Sequence, residues 1–271
     1  KQTYAGQGRN LEHMGLSVNA SYNFIKGDIC DSDLVEKIFM EDTPDFVFNF
    51  AAESHVDRSI LGATDFVKSN IEGTANLLEA ANKFGINRFI QISTDEVYGS
   101  KEQGSFSEQD SLFPSSPYAA SKASADLIAL SYYRTHKIPL VITRSANNYG
   151  PYQFPEKLLS LFITNLIEGK KVPLMWSQEN PGLNVRDWLH VLDNCRAILY
   201  IAQHGNPGEV YNIPGENERT NIEVTREILR NLGLGEEMIE KVPHRKSHDF
   251  RYSINGSKLK SLGFRYKHMD F

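Results

Sequence analysis

Two pairs of residues in this sequence have the types and spacing that proton-transfer chemistry requires. Tyr118 and Lys122 are four residues apart, and Asp95 directly precedes Glu96. On a helix the first spacing puts both side chains on one face, where an ammonium lowers the pKa of a neighbouring phenol from about 10. Adjacent carboxyls repel each other when both are charged, so one can act as an acid while the other acts as a base. Together the two pairs predict a site that can eliminate water.

Each pair also has a structural interpretation without chemistry. A Tyr and a Lys four residues apart occur on many helices, and residues 93–96 (Ser-Thr-Asp-Glu) could cap a helix or form a solvated turn. Either pair alone is therefore weak evidence. Because the acid pair and the Tyr-Lys pair occur together in one chain, we favour the chemical interpretation of both.

The elements that must position these residues are short apolar runs that alternate with amphipathic stretches. Residues 45–52, 88–94 and 139–145 are short and nearly continuous in apolar character, which predicts buried parallel strands. Residues 65–84 and 118–136 carry apolar residues three and four apart, which predicts helices. This order predicts right-handed crossovers and an α/β fold with a doubly wound parallel sheet.

The pattern becomes less regular after residue 150, where Pro and Gly interrupt the chain. We therefore divide the sequence into residues 1–150 and a smaller region, mainly for substrate, of residues 151–271. In the second region the sequence predicts helices over residues 158–168, 191–204 and 221–232, and strands over residues 172–175 and 209–213.

Polar clusters follow three of the predicted strands, at residues 51–55, 93–96 and 144–148. Ligands of open α/β sheets bind at the carboxyl ends of the strands, so these clusters are the expected binding site.

Composition restricts the class of partner. The chain has 271 residues, 40% of them hydrophobic, with a formal net charge of −5 and no run of Lys and Arg, so nucleic acid is a poor candidate partner. No apolar run approaches the roughly 20 residues of a membrane helix. The two cysteines, Cys30 and Cys195, and the lack of a signal-peptide pattern at the start make a reducing cytoplasm the default compartment. We predict no metal site.

Five segments carry the motifs that suggest a family: NFAAESHVDRS (residues 49–59), STDEVYG (93–99), YAASKA (118–123), NNYGPY (147–152) and NVRDW (184–188). They resemble the dTDP-glucose 4,6-dehydratases, extended members of the short-chain dehydrogenase/reductase superfamily, and the likeness covers essentially the whole chain. The acid pair discriminates best, because related sugar epimerases share the Tyr and Lys but lack it. The resemblance implies a Rossmann-type fold, NAD as cofactor, and a homodimer formed by the two long helices.

The resemblance also implies a role for each reactive residue. Tyr118 would take the proton of the sugar 4-hydroxyl while hydride leaves C4 for NAD, and Lys122 would hold the nicotinamide ribose. Glu96 would then remove the C5 hydrogen, while Asp95 protonates the departing 6-hydroxyl. Thr94 would hydrogen-bond the O4 position. The product would be a 4-keto-6-deoxy sugar, formed without net oxidation.

The remaining family positions bind rather than react. The residues that match cofactor contacts are Asp28, Ile29, Ala51, Ala52, Ser54, Ser69, Ser93, Tyr118, Lys122 and Ser145. The residues that match contacts to the nucleotide sugar are Ser54, His55, Thr94, Asn147, Lys157, Leu158, Arg186, Asn212, Arg245 and His248. A cationic Arg fork suits a diphosphate. Two alternatives stay open: Arg186 could form a surface ion pair, and Asn212 could close a turn at a strand end.

Several features depart from the family pattern. The Gly-rich loop that binds pyrophosphate does not appear, and residues 4–6 match the segment after a second strand, so we expect the first βα unit and the C-terminal helices to be missing and NAD affinity to be reduced. Residues 173–183 are longer than usual, with Met175 where a Tyr is usual, which leaves dTDP and UDP open. Residues 244–249 replace a segment that begins with Asp, although Arg245 and His248 are kept.

Two other functions remain as alternatives. A sugar 4-epimerase or decarboxylase of the same superfamily would use the same Tyr and Lys, although the acid pair argues against both. A non-catalytic nucleotide-sugar-binding protein would explain the missing Gly-rich loop.

Overall fold

The computed structural model describes Gly6 and residues 23–271. Tyr4 and Ala5, which we compared with the segment after a second strand, lie outside this part. The first described elements are α1 (Ser32–Asp42), β1 (Phe46–Asn49), α2 (Val56–Leu61), α3 (Thr64–Phe66), a π-helical segment (Val67–Glu72), α4 (Gly73–Phe84), β2 (Arg88–Thr94), a 3₁₀ turn (Asp95–Tyr98), α5 (Pro117–His136) and β3 (Leu140–Ser145).

The second half of the chain contains shorter elements. In chain order these are β4 (Asn147–Tyr149), α6 (Leu158–Ile167), β5 (Val172–Met175), β6 (Val185–His190), α7 (Val191–His204), β7 (Val210–Ile213), β8 (Glu218–Thr220), α8 (Asn221–Asn231), a 3₁₀ turn (Glu236–Met238), β9 (Ile239–Val242) and α9 (Ser257–Leu262). All the helices and strands that the sequence predicts for this half are present: two have the predicted bounds, and the other three differ at one end by one residue.

Four parallel strands in the order β1-β2-β3-β7 form the main sheet. Thr94 at the end of β2 is paired with Ser145 at the end of β3, and Ser145 is paired with Ile213 of β7. The three strands therefore end level with one another, which places the segments that follow them at one edge of the sheet. The prediction of an α/β fold with a parallel sheet is confirmed.

Helices cover both faces of this sheet. Successive residues of β3 enter two different apolar clusters: Val141 packs with Ile198 and Ile201 of α7, whereas Ile142 packs with Leu78 of α4 and Ala129 of α5. Alternating side chains of a strand point to opposite faces, so a strand buried on both faces is apolar throughout. The sheet is therefore doubly wound, as the continuous apolar runs predict.

The edge strand β1 differs from its prediction. It ends at Asn49, so residues 50–52 are not part of the strand, and the only described strand that pairs with it is β2. Phe46 and Phe48 are 45% and 37% exposed. Within the described part of the chain β1 is therefore covered only partly, and there the expectation of a fully buried strand is wrong for β1.

The predicted helix over residues 65–84 is also interrupted. Residues 67–72 form the wider π-helical turn, and Asn70 within it is 1% exposed. Its amide accepts the backbone N–H of Glu53 at 2.9 Å and donates to Ser121 Oγ at 2.8 Å. This turn thus ties the segment after β1 to α5, an interaction between residues far apart in the chain that no local periodicity reports.

The main sheet takes elements from both sides of residue 150. Strand β7 and helix α7 come from the second half of the chain, yet they complete the main sheet and its second apolar layer. Helices α6 and α8 enclose a separate cluster that contains Phe162, Trp188 and Ile228. The smaller region is therefore built on the main sheet rather than beside it. Among the described residues, no helix is both long and apolar enough to cross a membrane.

We predict that Ile201→Ala in α7 lowers the free energy of unfolding by about 2–5 kcal/mol, because Ile201 is fully buried in the cluster beneath β3 and its removal leaves a cavity. Leu199→Ala on the same helix is the control: Leu199 is 53% exposed, and its loss should cost less than about 1 kcal/mol. Urea denaturation followed by circular dichroism measures both. Equal losses for the two variants would show that α7 does not pack as described.

Candidate active site

A cavity of about 560 Å³ opens at the carboxyl ends of β1, β2 and β3. Its wall includes Ser54 from the segment after β1, residues 93–96 from the end of β2, and residues 146–148 after β3. Residues 157–158 and Arg186 close it from the smaller region. The cavity therefore lies at the sheet edge where the polar clusters of the sequence predict a ligand site.

The acid pair lies on the 3₁₀ turn that follows β2. Thr94 caps this turn: its hydroxyl oxygen accepts the backbone N–H of Glu96 at 3.3 Å and donates to Asp95 Oδ1 at 3.2 Å. Gly99 ends the turn with φ 83°, and a Cβ there would lie 2.5 Å from the carbonyl oxygen of Phe113. Only glycine fits that position. Local backbone geometry therefore fixes where both carboxyls enter the cavity wall.

Asp95 is held in surroundings that favour its neutral form. Burial raises its pKa well above the usual range, and the charges of Glu96 and Asp187 raise it further, while the hydrogen bond with Thr94 opposes them. Asp95 is 2% exposed, and its Oδ2 has no hydrogen-bond partner within the described part of the chain. A carboxyl with a raised pKa keeps its proton longer, so Asp95 is suited to donate one.

Glu96 has different neighbours. Burial raises its pKa too, but the cations Lys157, Arg186 and Arg245 oppose that shift. The two carboxyls thus differ in the balance of charge around them. Glu96 and Asp187 raise the pKa of Asp95 while Arg186 opposes them, whereas three cations oppose the raised pKa of Glu96 and Asp249 adds to it. Glu96 ionises more readily than Asp95 and is suited to accept a proton.

Tyr118 lies in the first turn of α5, where Ser116 caps the helix and accepts the backbone N–H of Ala119 at 3.1 Å. Burial raises the pKa of Tyr118, and Glu96 raises it further, whereas a hydrogen bond with Thr94 lowers it. The expectation of a lowered phenol pKa is therefore wrong for the cavity as it stands, because burial outweighs the stabilising groups.

Lys122 lies one turn further along α5 and is 5% exposed. Its ammonium donates to the carbonyl oxygen of Ile92 rather than to the phenol of Tyr118. Burial lowers the pKa of Lys122 to about 8, and Asp126, one more turn along the helix, opposes that shift. Sequence reasoning missed Asp126, although its spacing of four residues from Lys122 is the signal that relates Lys122 to Tyr118.

Two polar contacts join the walls of the cavity. Lys157 Nζ donates to the carbonyl oxygen of Ser54 at 2.9 Å, and Arg245 Nη1 lies 3.1 Å from Asp57 Oδ1. Each contact connects the segment after β1 with the second half of the chain. Two predicted ligand-binding cations therefore also bridge the cleft.

Arg186 is a buried residue of the cavity wall and forms no surface ion pair among the residues that the structure describes, so that alternative is wrong. It is 6% exposed, its guanidinium lies 4.3 Å from the ring centroid of Tyr252, and it donates to the carbonyl oxygens of Val185, Asp249 and Phe250. Sequence reasoning missed Tyr252, and no motif marks it. Arg186 acts on the cavity mainly as a fixed positive charge.

The structure brings most of the predicted ligand-binding residues together. Those that line the cavity are Ala52, Ser54, His55, Ser93, Thr94, Tyr118, Lys122, Asn147, Lys157, Leu158, Arg186, Arg245 and His248. Those that do not line it are Asp28, Ile29, Ala51, Ser69, Ser145 and Asn212. The cofactor assignments in the second group stay predictions.

Asn212 and Ser145 have their polar atoms engaged elsewhere. Asn212 is fully buried within β7, where its amide oxygen accepts the hydroxyl of Tyr98 at 2.9 Å and its amide nitrogen donates to the carbonyl oxygen of Phe106 at 3.2 Å. Ser145 Oγ donates to Asn194 Oδ1 at 2.8 Å. The structure therefore supports neither a substrate contact nor a strand-end turn for Asn212.

The donors and acceptors at this edge fit the ribose end of a dinucleotide. Tyr118 offers a hydroxyl and Lys122 an ammonium, while the Ser93 hydroxyl, whose proton goes to Asp126, is left as an acceptor. Ribose hydroxyls can bond to both kinds of group. Asn147 Oδ1 is a further buried acceptor without a partner in the described chain, which suits a sugar hydroxyl. Across residues 23–271, no group of three or more His, Cys, Asp or Glu is placed to hold a metal ion.

Comparisons of sequence give a consistent family. The sequence model of the GDP-mannose 4,6-dehydratase family matches residues 1–269. The dTDP-glucose 4,6-dehydratase of Streptomyces niveus is 48% identical over 265 residues, which are 97% of this chain and 76% of that protein. The dTDP-glucose 4,6-dehydratase of Escherichia coli is 45% identical over an alignment of 291 residues, covering 96% of this chain and 78% of that protein.

Two solved structures share the fold of this chain but come from enzymes with different functions. The dTDP-glucose 4,6-dehydratase DesIV of Streptomyces venezuelae, crystallised with NAD, matches with a TM-score of 0.92 at 46% identity, covering 98% of this chain and 80% of that one. The UDP-glucose 4-epimerase of Thermus thermophilus, also crystallised with NAD, matches with a TM-score of 0.88 at 27% identity, covering 97% and 83%. The fold is common to both enzymes, whereas the sequence is much nearer to the dehydratases. The chain therefore belongs to the GDP-mannose 4,6-dehydratase family, and the resemblance to dTDP-glucose 4,6-dehydratases that its motifs indicate is confirmed.

Proposed function

We propose that this protein catalyses the NAD-dependent dehydration of a nucleotide-activated hexose, dTDP-glucose, to the 4-keto-6-deoxy sugar. One observation carries the proposal: two adjacent carboxyls line one cavity, and three cations, Lys157, Arg186 and Arg245, oppose the raised pKa of Glu96, whereas the charges of Glu96 and Asp187 add to the raised pKa of Asp95. Elimination of water needs one group that gives a proton and one that takes a proton. Dehydratases of dTDP-glucose that match the chain at 45% and 48% identity support the substrate class.

Oxidation at C4 begins the proposed reaction. When bound, NAD supplies the group that accepts hydride from C4 and returns it to C6, so no external oxidant is consumed. Tyr118 takes the proton of the 4-hydroxyl, Thr94 hydrogen-bonds the oxygen at C4, and Lys122 holds the nicotinamide ribose. Tyr118 must be a phenolate to take this proton, and because burial raises its pKa, formation of the phenolate depends on a nearby positive charge. Lys122, one helical turn away, is the cation that this chain provides.

Elimination follows from the ketone at C4, which acidifies the hydrogen on C5. Glu96 takes that hydrogen as a proton, and Asp95 gives its own proton to the 6-hydroxyl, which leaves as water. The electron pair of the C5–H bond becomes the C5–C6 double bond. Hydride addition at C6 and a proton at C5 then give the 4-keto-6-deoxy sugar, and the proton lost from C4 oxygen stays on Tyr118 until it returns to solvent.

Binding of the nucleotide part rests on the opposite wall of the cavity. Lys157 and Arg245 supply positive charge for a diphosphate. Pro173, Met175 and Val242 form an apolar part of the same wall, which suits the methyl group of thymine better than the bare ring of uracil. These residues support dTDP over UDP as the nucleotide.

The alternative functions are less well supported. A 4-epimerase returns hydride to C4 and a decarboxylase releases carbon dioxide, and neither reaction uses an acid and a base side by side at C5 and C6. A non-catalytic binding protein would have no use for Asp95 in surroundings that hold its proton.

We also propose a cytoplasmic homodimer formed through α4 and α5, with the NAD-binding part in residues 1–150 and most of the sugar-binding part in residues 151–271. Leu127 of α5 is 60% exposed and Val67, before α4, is 50% exposed, so this face is apolar enough to be covered. Cys30 and Cys195 are both free thiols, which supports a reducing compartment.

The acid pair gives the first test, in which dTDP-glucose and added NAD are incubated in D2O and followed by NMR. Wild-type protein is expected to form the 4-keto-6-deoxy sugar with deuterium at C5. Glu96→Gln removes the base, so product formation and deuterium uptake should both fall by about 10²–10⁴-fold. Asp95→Asn removes only the acid, so product should fall similarly while recovered sugar still gains deuterium at C5.

Glu102→Gln is the control for these variants, because Glu102 is an exposed acid a few residues further along the chain. It should leave both readouts unchanged. Deuterium uptake that survives in Glu96→Gln but not in Asp95→Asn would reverse the assigned roles. If wild-type protein forms no product from either dTDP-glucose or UDP-glucose, the proposed reaction is refuted.

Lys122 gives a test by pH. Its pKa of about 8 means that the ammonium is present below that pH and is lost as pH rises through it. With saturating NAD and dTDP-glucose, kcat should therefore decline above about pH 8. Lys122→Met should lower kcat by about 10²-fold or more at neutral pH, whereas Lys170→Met, at an exposed lysine, should keep the wild-type profile. A kcat that continues to rise well above pH 8 would contradict the role of the ammonium.

The homodimer predicts a solution mass of twice 30.7 kDa by light scattering. Leu127→Arg places a charge in the proposed contact and should give the monomer mass, because an unpaired charge is costly to bury in an apolar interface. Leu199→Arg, at a similarly exposed Leu on α7, should remain dimeric. A wild-type protein of monomer mass would rule this interface out.

A further inference from the structure

Two histidines form a short chain of ring contacts at the outer side of the cavity. His244 Nδ1 lies 2.9 Å from His248 Nδ1, and His244 Nε2 lies 2.9 Å from the carbonyl oxygen of Asn180. His248 lines the cavity, and His244 lies behind it. The family segment begins with Asp where this chain has His244, so this arrangement belongs to the present sequence.

The positions of the protons are set by the hydrogen-bonding capacity of each atom. A carbonyl oxygen only accepts, so His244 Nε2 must carry the proton that it shares with Asn180. Contact between the two Nδ1 atoms at 2.9 Å needs one proton between them, since two would clash and none would repel. If both rings are neutral, His244 Nδ1 has no proton, and the shared proton belongs to His248.

The surroundings keep His248 neutral. Burial, together with the charges of Arg186 and Arg245, lowers the pKa of His248 to about 3. Those two cations are the charged groups facing His248, apart from His244 itself. A second positive charge between them would meet repulsion from both sides, so His248 stays neutral at physiological pH.

We infer that His244 is a positioning residue: it fixes His248 in the tautomer with the proton on Nδ1, so that His248 Nε2 is presented to the cavity as a hydrogen-bond acceptor. This inference rests on the proposed function in one respect, namely that a nucleotide occupies the cavity. The Asn180 carbonyl determines which ring nitrogen of His244 carries a proton. His244 in turn determines which ring nitrogen of His248 carries one.

The chemistry of the acceptor limits what it can bind. An unprotonated Nε2 cannot donate to a phosphate oxygen, which carries no hydrogen at neutral pH, so His248 is not a ligand of the diphosphate. It requires an O–H or N–H donor. Arg186 and Arg245 shift the pKa of both Glu96 and His248, so both arginines lie near the acid pair and near the histidine. With the sugar at the acid pair and the diphosphate at the cations, as in the proposed function, we assign the donor to the nucleoside, as its deoxyribose 3′-hydroxyl or its base N3–H.

Nitrogen-15 NMR tests the proton positions without any need for catalysis. In protein labelled at histidine, two-bond proton–nitrogen correlations should show His248 protonated on Nδ1 and His244 on Nε2. His244→Leu removes the acceptor, so His248 should change to the Nε2–H form or a mixture. His244→Gln keeps an amide oxygen for His248 and an amide N–H for Asn180, so it should preserve the wild-type tautomer. His136→Leu, at an exposed histidine on α5, is the matched control.

Binding of dTDP to the NAD-loaded protein, measured by calorimetry, gives the second readout. His244→Leu should weaken binding by about 3- to 10-fold, and raise KM with kcat nearly unchanged, because one hydrogen bond in the complex is lost. His244→Gln should restore both values. Wild-type protein should also bind one of two analogues, 2′,3′-dideoxythymidine diphosphate or N3-methylthymidine diphosphate, about 3- to 10-fold less tightly, and His244→Leu should not distinguish that analogue from dTDP.

The outcomes separate this inference from the proposed function. A His248 that carries its proton on Nε2 in wild-type protein, or whose tautomer is the same in His244→Leu, would overturn the role of His244. Equal binding of dTDP and both analogues would overturn the assignment of the acceptor to the nucleoside. Failure of dTDP to bind at all, with the tautomers as predicted, would instead count against a nucleotide-sugar substrate.

Discussion

A buried ion pair between helix α5 and strand β3 is the interaction on which the active site depends. Arg144 Nε lies 2.9 Å from Asp126 Oδ2, and their side chains are 3% and 0% exposed. Ser93 of β2 donates to the same carboxylate oxygen at 3.0 Å, and Arg144 also donates to the hydroxyl of Tyr98, which donates to Asn212 of β7. One network thus connects the catalytic helix with three strands and with the turn that carries the acid pair.

The ion pair matters for orientation more than for net stability. Burying two charges costs about as much as their attraction returns, whereas removing one partner leaves the other unpaired at a cost of about 3–5 kcal/mol. Asp126 and Arg144 therefore keep α5 in one register against β2 and β3. That register determines the neighbours of Tyr118: Thr94 is close enough to hydrogen-bond its phenol, and Glu96 is close enough to raise its pKa.

Local signals in the sequence were sufficient for most of the fold. Strand β2 has the predicted bounds, and α5 begins one residue before its prediction because Pro117 follows the capping Ser116. Caps and apolar runs depend on neighbours in the chain. The π-helical turn depends on Asn70 bonding to residues 53 and 121, and no periodicity within residues 65–84 contains that information.

The sequence predicted which residues form the reactive part of the site, but not the directions of their pKa shifts. Motifs identified the acid pair and the Tyr-Lys pair, because residue type and spacing are written in the sequence. The direction of the pKa shift of Tyr118 was not predictable from the sequence. It depends on burial and on Lys122, which donates to a carbonyl oxygen instead of to the phenol. The contact between Asn212 and Tyr98 was not predictable either, because Tyr98 comes from a turn more than 100 residues earlier.

The cavity keeps its reactive groups in protonation forms that cost folding free energy. Lys122 has a pKa lowered from 10.5 to about 8, so its charged form below that pH costs about 3 kcal/mol relative to the unfolded chain. Asp95 has a raised pKa, so its contribution to stability is present at low pH and is lost as pH rises through that value. Apolar clusters on both faces of the sheet offset these costs. The doubly wound fold therefore supplies the stability that permits a buried acid, a buried phenol and a buried ammonium to remain within reach of one sugar.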